Sequence, residues 1–250
     1  MIDSHAHLYL CEASTEAIVQ RALDVGVSAM VNVGIDLQKS QLAIDEADKF
    51  ESVYATVGIH PCEARSFDLN TIEALTQLAT HPKVVAIGEI GLDYYHDDSF
   101  KAIQTEALNA QMALARLLAK PVIIHTRHAD EDIVEIMKAY PDVRKVFHCF
   151  ASSPEVAQAL DGENTFFSFT AMVTFAKKGK VINALKWVPI DKLMIETDCP
   201  YLAPASRRGT QNEPSFLPEL VARIAELKSI SPEDVVLQTT QTAMGFFGLR

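Results

Sequence analysis

Two histidines one residue apart, His5 and His7, stand near the start of the chain in the stretch DSHAHL. On a β-strand, alternate side chains point to the same side, so both imidazoles can bind one metal ion. The same spacing also fits a polar N-terminus with two solvated histidines. The pair by itself therefore leaves both interpretations open, and the rest of the chain must separate them.

More ionisable groups follow, and each comes at or just after the end of a short apolar segment. They are His60 in GIHP, Glu89 and Asp93 in GEIGLDYY, His125 and Arg127 in PVIIHTR, His148 in FHCF, and Glu196 and Asp198 in IETDCPYLAP. Any one of them alone could be a hydrogen-bonded structural residue, a helix cap or part of a salt bridge. Buried together without a cation, however, the imidazoles and carboxylates would carry a large desolvation cost, and the carboxylates would repel one another. Their recurrence at equivalent places therefore predicts a metal site.

The types of ligand narrow the choice of metal. Imidazoles and carboxylates without thiolates suit zinc, manganese, iron or magnesium. Four histidines and two carboxylates exceed a single tetrahedral set, and they suit two divalent ions about 3.5–4 Å apart that share a bridging carboxylate. Such a pair can orient a water and lower its pKa. Asp198 is the expected general base for that water, and Glu89 is the second expected catalytic carboxylate.

The elements that must position these residues form a regular alternation. Strands are predicted at Met1–Ser4, Ala29–Val33, Val53–Gly58, Val84–Glu89, Val122–His125, Lys145–His148, Thr165–Phe169 and Leu193–Glu196. Segments of helical period lie between them. Eight strand–helix units predict a (β/α)8 TIM barrel, a single α/β domain over residues 1–250 with its site at the C-terminal ends of the strands. A doubly wound open sheet is the rival fold.

The composition limits the kinds of partner. Acidic residues outnumber basic ones by 33 to 22, for a net charge of -11. Proteins that cover nucleic-acid phosphates usually carry a basic surface, so a nucleic acid would be held locally, by metals and a few cations.

The four cysteines are scattered without a CxxC pair, which favours reduced thiols and a cytoplasmic protein. Neither a signal peptide nor a membrane-spanning run is evident, and a monomer is expected.

The chain resembles the TatD family of metal-dependent hydrolases within the amidohydrolase superfamily. The resemblance spans nearly the whole sequence, and GEIGLDYY together with IETDCPYLAP is highly specific. It rests on DSHAHL, GIHP, AIGEIGLDYY, FKAIQTEALNAQMALARLLAKPVIIHTR, FHCF, FFSFTAMVTF, IETDCPYLAP and RRGTQNEP.

The resemblance implies the roles of individual residues. His5 and His7 would bind one divalent metal ion, His125 and His148 a second, and Glu89 would bridge both. Asp198 would bind metal and handle the proton of the attacking water. The implied ions are Mg, Mn or Zn, and the implied activity is hydrolysis of phosphodiesters at DNA ends. Some relatives have instead been assigned deacylation of D-aminoacyl-tRNA, so a metal-dependent ester or amide hydrolase is the alternative.

Three residues are predicted to contact substrate. His60 would line the pocket, and Asp93 and Arg127 would lie beside it. Two roles fit Arg127, because its planar guanidinium suits a phosphate but can equally pair with Asp93 or Glu89. His81, His96 and His128 have no evident partner and are expected to be solvated.

Departures from the family pattern concern substrate preference. They are Cys62, Ser152, Cys199 and the stretch TQNEPSF, which lacks a basic residue common in the family at the pocket rim. None removes a predicted metal ligand. The full set of six ligands also argues against a third possibility, a barrel kept as a non-catalytic binding protein.

Overall fold

Parallel strands and helices alternate along the chain. The computed structural model describes residues 1–95 and 98–249, so His96 lies outside the described residues. The strands are β1 Ile2–Ala6, β2 Ala29–Val33, β3 Val53–Val57, β4 Val84–Asp93, β5 Val122–Arg127, β6 Lys145–Phe147, β7 Thr165–Phe169 and β8 Leu193–Ile195. The helices are α1 Thr15–Asp24, α2 Leu37–Ala47, α3 Leu69–Leu78, α4 Lys101–Leu117, α5 Asp130–Met137, α6 Pro154–Leu160, α7 Met172–Phe175, α8 Lys180–Trp187, α9 Leu217–Lys228 and α10 Pro232–Phe247. Short 3₁₀ turns lie at Leu8–Leu10, Pro61–Ser66, Asp98–Phe100, Ile190–Lys192, Ala205–Arg207 and Pro214–Phe216.

The eight strands lie side by side in chain order, and every neighbouring pair from β1 to β8 is parallel. The last strand returns to the first. The amide of Asp198 donates to His5 O at 2.9 Å, and the amide of His7 donates to Cys199 O at 2.8 Å. The predicted (β/α)8 barrel is therefore confirmed, and the open doubly wound sheet is wrong.

The predicted strand bounds hold at β2 and β7 and fail most at β4. The prediction ended this strand at Glu89, but β4 continues to Asp93. Its pairing with β5 becomes irregular between Ile87 and Ile90 and then resumes. Gly91 permits the resumed pairing, because a Cβ there would lie 1.9 Å from the carbonyl oxygen of His125. Glu89 therefore lies within β4 rather than at its end.

The barrel interior leads directly to the site. Ile123 and Val146 are fully buried apolar residues of one cluster, which Phe246 and Phe247 of α10 also join. Side chains two residues apart on a strand share a face. His125 and His148 therefore continue the inward faces of β5 and β6, where the apolar filling ends and the site begins.

Among the described residues, no helix combines the length and the apolar character needed to cross a membrane.

Candidate metal centre

The six residues predicted as metal ligands come from five strands or strand ends and meet at one mouth of the barrel. A cavity of about 620 Å³ opens there. Its lining includes five of the six, and also the three residues predicted to contact substrate: His7, His60, Glu89, Asp93, His125, Arg127, His148 and Asp198. His5, the sixth, is fully buried beneath them.

Glu89 stands at the centre of this group. Its Oε1 lies 2.7 Å from His148 Nε2 and 2.9 Å from His125 Nδ1. Its Oε2 lies 3.4 Å from His5 Nε2 and 3.8 Å from His7 Nε2. The two carboxylate oxygens thus face different pairs of imidazoles, which divides the site into two halves.

The first half contains His5, His7 and Asp198. The Nε2 atoms of the two histidines lie 3.2 Å apart. Asp198 Oδ1 lies 3.6 Å from His5 Nε2 and 3.5 Å from His7 Nε2. Four ligand atoms, counting Glu89 Oε2, therefore surround one small volume.

The second half contains His125 and His148, whose facing nitrogens, Nδ1 and Nε2, lie 3.3 Å apart beside Glu89 Oε1. Asp93 lies behind His125, with Oδ2 3.0 Å from His125 Nε2. Asp93 is itself held in place, because its Oδ1 accepts from the amide of Tyr95 and its own amide donates to Gln104 Oε1, both at 2.9 Å. Asp93 thus orients an imidazole, and its predicted contact with substrate stays a prediction.

The arrangement of protons tests whether this set fits divalent cations. His7 Nδ1 lies 2.9 Å from Val33 O, and a carbonyl can only accept, so Nδ1 carries the proton. When His125 Nδ1 binds a cation, its Nε2–H donates to Asp93 Oδ2, the arrangement typical of metal-ligating histidines. In the neutral rings, His7 Nε2 and His125 Nδ1 then direct lone pairs at carboxylate oxygens and other ring nitrogens. A cation between these atoms turns repulsion into coordination, so the residues fit a metal in each half.

The electrostatics of the metal-free site agree with this. Burial alone would raise the pKa of Glu89, but the charges of His148, His60 and His5 outweigh burial and hold that pKa well below its usual range. Burial would likewise lower the pKa of His148, yet Glu89 and Glu196 raise it well above its usual value. Glu89 and His148 thus stabilise each other's charged forms.

Arg127 lies at the edge of the cavity, whereas His60 lies beside Glu89 and His125, with which it could hold a metal ion. His60 Nε2 is 3.5 Å from Glu89 Oε1, and its Nδ1 accepts from the amide of Cys62 at 3.1 Å. The guanidinium of Arg127 stacks 3.6 Å above the centre of the Tyr95 ring. Arg127 forms no ion pair with Asp93 or Glu89 among the described residues, but its charge helps to lower the pKa of Asp93. Its predicted contact with substrate stays a prediction.

Comparison with known proteins agrees with this geometry. Residues 2–248 match the family of TatD related DNases. The chain belongs to this family. It is 39% identical over 251 residues to YabD of Bacillus subtilis, an uncharacterized metal-dependent hydrolase, with 99% of this chain and 98% of the relative covered. It is 34% identical over 242 residues to a protein of Erwinia amylovora named 3'-5' ssDNA/RNA exonuclease TatD, covering 94% and 93% of the two chains.

Solved structures give the same result. The crystal structure of YJJV, a TatD homologue from Escherichia coli K12, has a TM-score of 0.94 and 25% identity, with 100% of this chain and 98% of that chain covered. An uncharacterized amidohydrolase from Saccharomyces cerevisiae shares the fold, with a TM-score of 0.87 and 19% identity. The prediction that the chain is a TatD-type metal-dependent hydrolase is therefore confirmed. Its likeness to the yeast amidohydrolase is one of fold.

Two further carboxylates support the TatD-family site, and sequence reasoning assigned them no such role. Glu196 accepts from the amide of Cys149 and from Ser168 Oγ, both at 2.6 Å, and its Oε1 lies 3.5 Å from His148 Nδ1. Asp3 accepts from Thr197 Oγ1 at 2.6 Å and from the amide of Thr197 at 3.0 Å. Burial raises the pKa of Asp3 to about 7, although the bonds from Thr197 oppose this. Glu196 thus supports a candidate ligand, and Asp3 joins β1 to the segment after β8.

We expect Asp93→Asn to weaken metal binding in the second half of the site. The variant keeps the size of the side chain but removes its negative charge. That charge orients His125 and makes the lone pair of its Nδ1 a stronger metal ligand. Loss of such a supporting carboxylate typically costs about 10- to 100-fold in metal affinity. Titration of the apoprotein with Zn²⁺ by calorimetry measures this, with Asp132→Asn on α5 as the matched control. Unchanged affinity at both sites would show that Asp93 does not orient the ligand.

Proposed function

We propose that this chain is a two-metal phosphodiesterase that removes nucleotides from the 3' end of single-stranded nucleic acid. The observation that carries the proposal is Glu89, whose two oxygens face the two histidine pairs on opposite sides. Two Erwinia relatives, each named 3'-5' ssDNA/RNA exonuclease TatD, supply the substrate class. In this proposal His5, His7, Glu89, His125, His148 and Asp198 hold two divalent ions, Mg, Mn or Zn.

The chemistry divides between the ions and the protein. Bound divalent ions would stabilise charge on the phosphoryl oxygens and lower the pKa of the attacking water. Asp198 is placed to take the proton of that water, because its side chain is 15% exposed at the cavity whereas that of Glu89 is only 4% exposed. We assign Arg127 the contact with a phosphate, because its planar guanidinium suits that anion and is held beside the cavity by stacking on Tyr95.

The alternative of an ester or amide hydrolase, such as a D-aminoacyl-tRNA deacylase, has no separate observation in its favour. We propose that the protein is cytoplasmic, because its four cysteines are scattered in a way that favours reduced thiols. A single domain over residues 1–250 and a monomeric state stay predictions.

Removal of metal should abolish hydrolysis, because the phosphoryl charge then has no cation to stabilise it. We expect chelated and dialysed protein to lose activity on a 3'-labelled single-stranded oligonucleotide and to regain it with Mn²⁺, Mg²⁺ or Zn²⁺. The same protein is assayed on D-aminoacyl-tRNA and on a simple aryl ester. Faster metal-dependent turnover of either of these would favour the alternative, and activity that survives chelation would contradict the two-metal site.

A further inference from the structure

Several stretches of this acidic chain contain no aspartate or glutamate, and two of them lie close together in the fold. The chain has 33 acidic residues, yet residues 165–190 have four lysines and none of either acid. Residues 199–212 have two arginines and likewise no acid. The net charge of -11 conceals this local excess of positive charge.

The fold brings these two stretches together. The amide of Ala205 donates to Thr174 Oγ1 at 2.9 Å, which ties the segment after β8 to α7. The guanidinium carbon of Arg208 lies 6.0 Å from the centre of the Phe175 ring. We define the basic patch by its exposed members: Phe175, Lys177, Lys178, Lys180 and Arg208.

The basic patch has a fixed base. Arg223 of α9 donates to Val173 O at 3.1 Å and to Ala176 O at 2.9 Å, which anchors both ends of α7. The patch is therefore held on the barrel by its backbone, and its side chains remain available.

The cations of the basic patch have no acidic partner in the described part of the chain. Within residues 1–95 and 98–249, no ion pair engages the three lysines or Arg208, whereas the neighbouring Arg207 pairs with Glu219 at 3.3 Å. Phe175 is 47% exposed, so its ring is accessible from solvent. Cations around an exposed aromatic ring match a partner that is both anionic and aromatic.

The patch also lies beside the mouth of the site. Met172, at the start of α7, lines the cavity, and so does Leu202, shortly before the arginines. A strand whose end occupies the cavity can thus leave it across α7.

We propose that the basic patch binds the part of a single-stranded nucleic acid that extends beyond the cavity. Phosphates would contact the lysines and Arg208, and a base would stack on Phe175. A single strand fits better than a duplex, because the bases of a duplex are stacked on one another and leave no free face for the ring. This inference rests on the proposed function, whose substrate it extends past the reacting end.

Binding as a function of strand length and salt tests the patch. Holoenzyme is titrated with labelled phosphorothioate oligothymidylates, which resist hydrolysis, of about 4 and about 16 nucleotides. For Lys177→Ala/Lys178→Ala, we expect weaker binding of the long strand and a smaller effect on the short one. The slope of log affinity against log salt should fall by about 1.4, or about 0.7 for each cation lost. Phe175→Ala should weaken long-strand binding about fivefold or more.

The matched control is Lys49→Ala/Lys138→Ala. These lysines follow the C-terminal ends of α2 and α5, at the opposite end of the barrel, and should leave the salt slope unchanged. If the patch variants bind both strands like the unmodified protein, the inference is wrong, and Arg208→Ala repeats the test should the double variant fold poorly. Failure of the proposed function looks different, because the unmodified holoenzyme would then hydrolyse no phosphodiester-linked strand of any length.

Discussion

Glu89→Gln lowers kcat/KM for oligonucleotide hydrolysis by about 10³-fold or more. Its Oε1 lies 2.7 Å from His148 Nε2 and its Oε2 lies 3.4 Å from His5 Nε2, so one side chain serves both halves of the site. Glutamine has the same size but no charge, and its amide group directs N–H donors toward one half. Charge stabilisation by bound ions is worth several kcal/mol, and each 1.36 kcal/mol corresponds to a factor of about ten in rate.

Metal content separates this effect from simple misfolding. We expect elemental analysis to find fewer than two equivalents of divalent ion in Glu89→Gln, with an unchanged circular dichroism spectrum. Glu135→Gln is the matched control, because that carboxylate lies on the surface of α5 and pairs only with Lys138 among the described residues. Near-normal turnover with two bound ions would remove Glu89 from the mechanism.

Much of the fold could be predicted because each strand is short, apolar and bounded by turn residues. The predicted Ala29–Val33 and Thr165–Phe169 agree with the structure. Ligand candidates followed from the same pattern, since a barrel brings the ends of its strands to one face. That step required no knowledge of side-chain direction.

Other features depend on contacts that sequence spacing does not contain. β4 extends past Glu89 because Gly91 lets it approach β5, and a glycine alone could equally have marked a turn. Asp93 lies against His125, a residue 32 positions away. Glu196 accepts hydrogen bonds from Ser168 and Cys149. In the sequence, only its position two residues before Asp198 indicated a side chain that points into the barrel.

The basic patch escaped prediction for a different reason. Net charge averages over the whole chain, so an excess of acid elsewhere hides four lysines within residues 165–190. A search for acid-free stretches would have found the lysines. It could not have shown that Arg208 lies 6.0 Å from Phe175, because that approach depends on neighbouring barrel loops.

Asp198→Asn lowers kcat by about 10²- to 10⁴-fold, the usual contribution of a general base. Asparagine is the informative substitution, because Asp198 has a φ of 56°, a left-handed conformation that Asn tolerates better than Ala. The variant keeps Glu89, His125 and His148, so we expect the second half of the site to retain its ion by elemental analysis. Added formate, a small carboxylate, should restore part of the rate if proton transfer is what was lost. Asp161→Asn, an exposed carboxylate paired with Lys192, is the matched control. Loss of both ions without rescue would instead make Asp198 a structural metal ligand whose removal empties the site.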